Sequence, residues 1–170
     1  MEPTKRTVLI ADDEPDCLAP MELLLHEQYA VLTAANGAEA LELLNANRVD
    51  ILIADQRMPR MTGVELLTKV RELYPDIVRV VLTAYTDFEA MIAAINEGRV
   101  YRYIIKPWDV DDMRLVIRQA LDWRDLRLQT CQLAADLSEA HWELADRHKE
   151  LERAYADLAA TRQIELGGDE

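Results

Sequence analysis

Residues 50–63 read DILIADQRMPRMTG. An apolar run, Ile51–Ala54, goes straight into a carboxylate at Asp55, and Met58-Pro59 follows shortly after. A run this short, rich in β-branched side chains and bounded by turn residues, predicts a buried strand. A carboxylate at the end of a buried strand is costly unless it reaches solvent or has a partner. The rest of the chain has to supply that partner.

Working outward, Val8–Ala11, Ala30–Ala34, Val78–Leu82 and Tyr101–Ile105 are further short apolar runs and read as strands. Between them, Leu18–Glu27, Ala38–Asn47, Val64–Leu73, Phe88–Asn96 and Val110–Trp123 repeat apolar residues every three or four positions, the spacing of a helix face. Turn signals such as Asn36-Gly37 and Pro75-Asp76 separate the units. Five βα units with short links predict a doubly wound α/β domain with a five-stranded parallel sheet covered on both faces. The strands agree, because a half-exposed sheet would alternate apolar with polar residues.

Polar residues gather where these strands end. The first strand runs into Asp12-Asp13, the third into Asp55, the fourth into Thr83, and the fifth into Lys106-Pro107. In an open parallel sheet, ligands bind in the crevice beyond the carboxyl ends of the strands. Any one of these residues alone would be read as an ordinary turn or cap residue. Their joint placement on one rim predicts a site. Three carboxylates repel one another unless a cation lies among them, and hard oxygen donors without His or Cys suit Mg²⁺ or Mn²⁺ rather than zinc. Lys106 supplies a compact positive charge for a phosphate oxygen, and Thr83 a hydroxyl donor. Asp55 is then placed to attack phosphorus and form an acyl phosphate.

Asp12-Asp13, DQRMPRMTG around Asp55, LTAY at 82–85 and YRYIIKPWD at 101–109 together resemble the receiver domain of two-component response regulators, over residues 5–123. The resemblance implies a flavodoxin-like fold that accepts a phosphoryl group from a histidine kinase or phosphotransfer protein. It implies Asp55 as phosphoacceptor, with Asp13, Asp55 and the backbone carbonyl of Arg57 binding Mg²⁺ and Asp12 helping directly or through water. It implies that Thr83 and Lys106 bind the phosphoryl group, that Lys106-Pro107 is cis, and that Tyr103 works with Thr83 as an aromatic switch. Arg57 and Tyr85 would flank the path of attacking water. The chain is then expected to catalyse only its own phosphorylation and dephosphorylation. A phosphatase of the haloacid-dehalogenase type also uses an Asp nucleophile with Mg²⁺, but it carries nucleophile and acid on one Asp-x-Asp strand end and needs a cap. Neither feature is present here.

Residues 1–123 are therefore read as the receiver and 124–170 as a helical tail continuous with the fifth helix. No Gly or Pro occurs between Trp108 and Leu166, and an uninterrupted helix there would run ~80 Å at 1.5 Å per residue. Leu137, Leu144, Leu151 and Leu158 recur every seven residues, which predicts a coiled coil and a homodimer through the tail. The tail holds 6 basic and 11 acidic residues, and the whole chain carries a net charge of -13. That balance disfavours nucleic acid and anionic membrane surfaces as partners. No stretch is apolar enough to span a membrane, and Cys17 and Cys131 lie far apart without metal-ligand spacing, so a cytoplasmic protein with reduced thiols is expected. The alternative reading is a coiled-coil scaffold, or a piece of a larger regulator whose output domain is missing.

Overall fold

The computed structural model describes residues 5–84, 92, 94–96 and 100–166, the stretch 160–166 by its helix alone. The helix expected over Phe88–Asn96 thus lies largely outside the described residues. Five strands, β1 (Thr7–Ala11), β2 (Ala30–Ala34), β3 (Ile51–Asp55), β4 (Val78–Thr83) and β5 (Arg102–Ile105), pair in parallel in the order β2-β1-β3-β4-β5. The described helices are α1 (Pro15–Leu25), α2 (Gly37–Ala46), α3 (Gly63–Leu73) and α4 (Val110–Leu166).

The sheet separates two cores, as side-chain alternation along a strand requires. Leu9, Leu52, Ala54 and Val81 point to one face, where Ala40 and Leu44 of α2 and Leu66, Leu67 and Val70 of α3 cover them. Val8, Ile10, Ile51, Ile53, Val80 and Leu82 point to the other, against Met21 and Leu25 of α1 and Met113, Ile117 and Leu121 of α4. This is the doubly wound arrangement the continuous apolar strands predict. Its strand order reverses at β1, so a crevice opens between the carboxyl ends of β1 and β3.

Element ends differ from expectation where polar residues take part in regular structure. Asp55 and Thr83 belong to their strands: Asp55 is in register with Leu82, and Thr83 with Ile105. Helix α1 begins at Pro15 rather than Leu18, because proline suits a first helical turn whose N–H groups have no partner anyway. Helix α3 starts on a capping box, Thr62 accepting from the Glu65 amide while the Glu65 side chain accepts from the Thr62 amide.

At the opposite ends of the strands an ionic cluster built on the buried pair Asp50 and Arg124 fastens α4. Asp50 accepts from the Thr7 amide at 2.8 Å and pairs with Arg6 at 3.4 Å and Arg124 at 3.1 Å. Arg124 also donates through Nε to the Asp76 carbonyl at 2.8 Å, and Arg6 reaches Asp125 at 2.7 Å. Nη1 of Arg124 approaches Asp50 without an aligned hydrogen bond, so that contact is mainly Coulombic. Removing one member of a buried pair strands the other charge. Arg124→Ala should therefore lower the urea midpoint of the full chain, by about 2–3 kcal/mol of stability with Arg6 still in place. An unchanged midpoint would reduce the cluster to a surface decoration.

Compact packing divides the chain between Leu126 and Arg127. In the second unit Leu137, Leu144, Leu151 and Leu158 are all exposed, at 55–73% of their surface. Among the described residues no helix is long and apolar enough to cross a membrane.

Candidate functional site

Asp12 follows the last residue of β1 and is fully buried; Asp55 closes β3 with only 6% of its surface exposed. The partner that Asp55 requires is Lys106. Its ammonium lies 2.6 Å from Asp55 Oδ1 and 2.9 Å from Asp12 Oδ2, bridging the two carboxylates across the crevice. The remaining oxygens are held by the chain itself: the Arg57 amide donates to Asp55 Oδ2 at 2.6 Å, and the Glu14 amide to Asp12 Oδ1 at 2.9 Å. Each carboxylate is thus fixed at both oxygens by groups of the chain itself.

Lys106 is placed by backbone as well as by charge. Its amide donates to the Thr83 carbonyl at 2.8 Å, carrying the β5 end alongside β4, and the Lys106-Pro107 bond is cis. Burial works against the Lys106 charge, but its hydrogen bonds to Asp55 and Asp12, and their negative charge, outweigh burial and raise its pKa above the ordinary lysine value. Because the folded pKa is raised, the stability from this bridge is complete below the pKa of an unfolded lysine and is lost only as pH rises through the folded one.

The structure brings Asp12, Asp55 and Lys106 into direct contact and sets Thr83 on the neighbouring strand end. Thr83 is buried, and its hydroxyl donates to the Ala84 carbonyl at 3.0 Å. Asp13 is exposed at the same rim. Among the described residues no three acidic, His or Cys side chains close into a ready cation cage, since Lys106 lies between two of the carboxylates. The chemistry of the donor set still fits a hard divalent cation. Asp12, Asp13 and Asp55 set three negative charges against the one positive charge of Lys106, and all three offer oxygen. Tyr103, half-buried on β5, packs against the core on the α2 and α3 side. Tyr85 lies outside the described residues.

Two neighbours escaped the sequence reading. Gln56 links three elements behind Asp55, and Cys17 on α1 stands 3.9 Å from the Lys106 ammonium and 3.7 Å from Glu14. A lone cysteine gave no spacing signal, and its approach depends on α1 starting early enough to turn it toward β5. Burial raises the Cys17 pKa, Asp12 and Glu14 raise it further, and Lys106 offsets part of this. The thiolate is the reactive form. At pH 8, iodoacetamide should therefore label exposed Cys131 faster than half-buried Cys17, as followed by peptide mass. Equal labelling rates would contradict this account of the thiol's surroundings.

Comparison with known proteins bears on the same residues. The response regulator receiver domain family matches residues 8–118. The hydrogenase transcriptional regulatory protein HoxA of Cupriavidus necator is 42% identical over 127 residues, which cover 75% of this chain and 26% of that protein. The transcriptional regulatory protein GlrR of Escherichia coli is 36% identical over 116 residues, 68% of this chain and 26% of that protein. The chain thus spans about a quarter of the length of these curated relatives. Among solved structures, a response regulator receiver domain protein from Clostridium thermocellum superposes with a TM-score of 0.67 at 30% identity, covering 71% of this chain and 98% of that one.

Proposed function

The chain belongs to the response regulator receiver domain family, and from that premise we propose that it accepts a phosphoryl group on Asp55 from a histidine kinase or phosphotransfer protein in two-component signalling. The observation that carries the reading is the state of Asp55: a buried carboxylate at the switch point of the sheet, with one oxygen on the Lys106 ammonium and the other on the Arg57 amide.

In the proposed step an Asp55 oxygen attacks the donor's phosphorus in line, a P–O bond forms, and the bond from phosphorus to the leaving group breaks. Such transfer needs chiefly positioning and neutralisation of the phosphoryl oxygens. Lys106 is released from the oxygen that becomes the acyl phosphate and pairs with a phosphoryl oxygen, while Asp12 keeps it in place. The Thr83 hydroxyl turns from the Ala84 carbonyl to a second phosphoryl oxygen. Asp13, Asp55 and the Arg57 carbonyl, with Asp12 beside them, would hold Mg²⁺ (or Mn²⁺), which would neutralise further negative charge on the phosphoryl group. Thr83 and Tyr103 are the proposed switch pair, since they lie on the adjacent strands β4 and β5, Tyr103 two residues before the Ile105 that faces Thr83. The chemistry proposed is confined to the chain's own aspartate.

For the tail we propose a parallel homodimer along Leu137, Leu144, Leu151 and Leu158. The support is that large apolar side chains repeat at heptad spacing on an exposed helix face. The test of the phosphoryl reading is intact mass after incubation with acetyl phosphate and Mg²⁺. A gain of one phosphoryl group is expected; no gain at any Mg²⁺ concentration would overturn the reading.

A further inference from the structure

We propose that Gln56 is a positioning residue for Asp55, latching the loop between β3 and α3 so that the Arg57 peptide stays aimed at the phosphoacceptor. The inference rests on the reading of Asp55 given above and extends it to a side chain that touches neither donor nor metal. Gln56 makes three hydrogen bonds in three directions. Its amide donates to the Leu82 carbonyl on β4 at 2.8 Å, and its carbonyl accepts from the Gly63 amide at 3.1 Å. Its side-chain oxygen accepts from the Val64 amide at 3.1 Å. Residues 57–62 are thereby tied at the neck.

The first amide inside that neck is Arg57 N–H, the group 2.6 Å from Asp55 Oδ2. The packing behind it leaves little slack. A Cβ built on Gly63 would lie 2.4 Å from the Asp55 carbonyl oxygen and 3.1 Å from the Gln56 Cα, so the start of α3 presses directly on the backbone that carries the acceptor. The amides of a first helical turn have no partner within the helix. The Val64 amide takes its partner from Gln56, which ties α3 to the strand end it leans against. An apolar side chain at 56 would fill the half-buried position equally well but would free that amide and let the neck open. Misplacement of a reacting group by about 1 Å can cost roughly a hundredfold in rate. Here backbone contacts remain, and a smaller loss is expected.

The experiment uses the full chain with Gln56→Met, close in length but without the acceptor, and Gln56→Glu, which keeps an acceptor oxygen. In metal-free protein, amide exchange followed by NMR should accelerate about tenfold at both Val64 and Arg57 in Gln56→Met and return toward wild type in Gln56→Glu. Acetyl phosphate labelling at saturating Mg²⁺ should slow about five- to tenfold in Gln56→Met, with recovery in Gln56→Glu. Faster exchange at Val64 alone, with Arg57 and the labelling rate unchanged, would make Gln56 a structural residue and overturn the inference. So would a Gln56→Glu variant as impaired as Gln56→Met. A wild type that takes up no phosphoryl group removes the inference together with the reading of Asp55; a labelled wild type matched by Gln56→Met removes the Gln56 role only.

Discussion

Asp55→Asn is expected to abolish phosphoryl uptake from acetyl phosphate while leaving the chain folded. The amide nitrogen that replaces one oxygen cannot form an acyl phosphate, and the remaining oxygen is a weak nucleophile. Asp12 lies behind Lys106 with none of its surface exposed, whereas Asp55 keeps an open edge, so Asp12 does not substitute as acceptor. Two effects on stability oppose each other. The variant loses the 2.6 Å ion pair with Lys106, yet it also removes one of the two carboxylates that share a single ammonium. Asp12 still pairs with Lys106 at 2.9 Å, so the folding free energy should stay within about 1 kcal/mol of wild type. The check is intact mass beside a urea melt on the same preparation. An Asn variant that gains one phosphoryl group at wild-type stoichiometry would sink the assignment, and a second nucleophile would have to be sought.

The fold was legible because its information is local. Continuous apolar strands can sit only in a sheet covered on both sides, and the two cores on its two faces fulfil that expectation. The rim was legible because parallel strands deliver their carboxyl ends to one edge, so Asp12, Asp55, Thr83 and Lys106 were predictable neighbours without any knowledge of contacts. What did not show is what depends on direction rather than edge. That Lys106 bridges two carboxylates, that Gln56 reaches back to the Val64 amide, and that Cys17 turns toward the ammonium are long-range pairings with no periodic trace. The early start of α1 was hidden for another reason: its first two residues, Pro15 and Asp16, are exposed, and a hydrophobic period begins only where a face becomes buried.

Leu144→Asp is expected to convert a dimeric chain into a monomer without altering the melting of the receiver. Leu144 is 70% exposed in the single chain, and its heptad neighbours Leu137 and Leu151 are exposed at 73% and 55%. A stripe of this size gains little from the helix that carries it, and a second helix is the economical way to cover it. Two registers remain open. With the leucines at d, the a positions are Ala134, His141, His148 and Tyr155; with the leucines at a, the d positions are Leu133, Ala140, Arg147 and Ala154. Either seam contains polar residues, so the dimer should be of modest affinity, and His148 already pairs with Glu152 of its own helix at 3.3 Å. Position 144 is in the seam in both registers, and burying an unpaired carboxylate there costs several kcal/mol for each chain. A penalty on the order of 4 kcal/mol raises a dissociation constant about a thousandfold. Trp142 provides the control. It is 73% exposed but falls at an outer heptad position in both registers, so Trp142→Ala should leave the dimer intact. Sedimentation across a range of concentrations distinguishes the outcomes. A Leu144→Asp chain that remains dimeric, or a dimer lost with Trp142 instead, would place the interface on a different face of the helix.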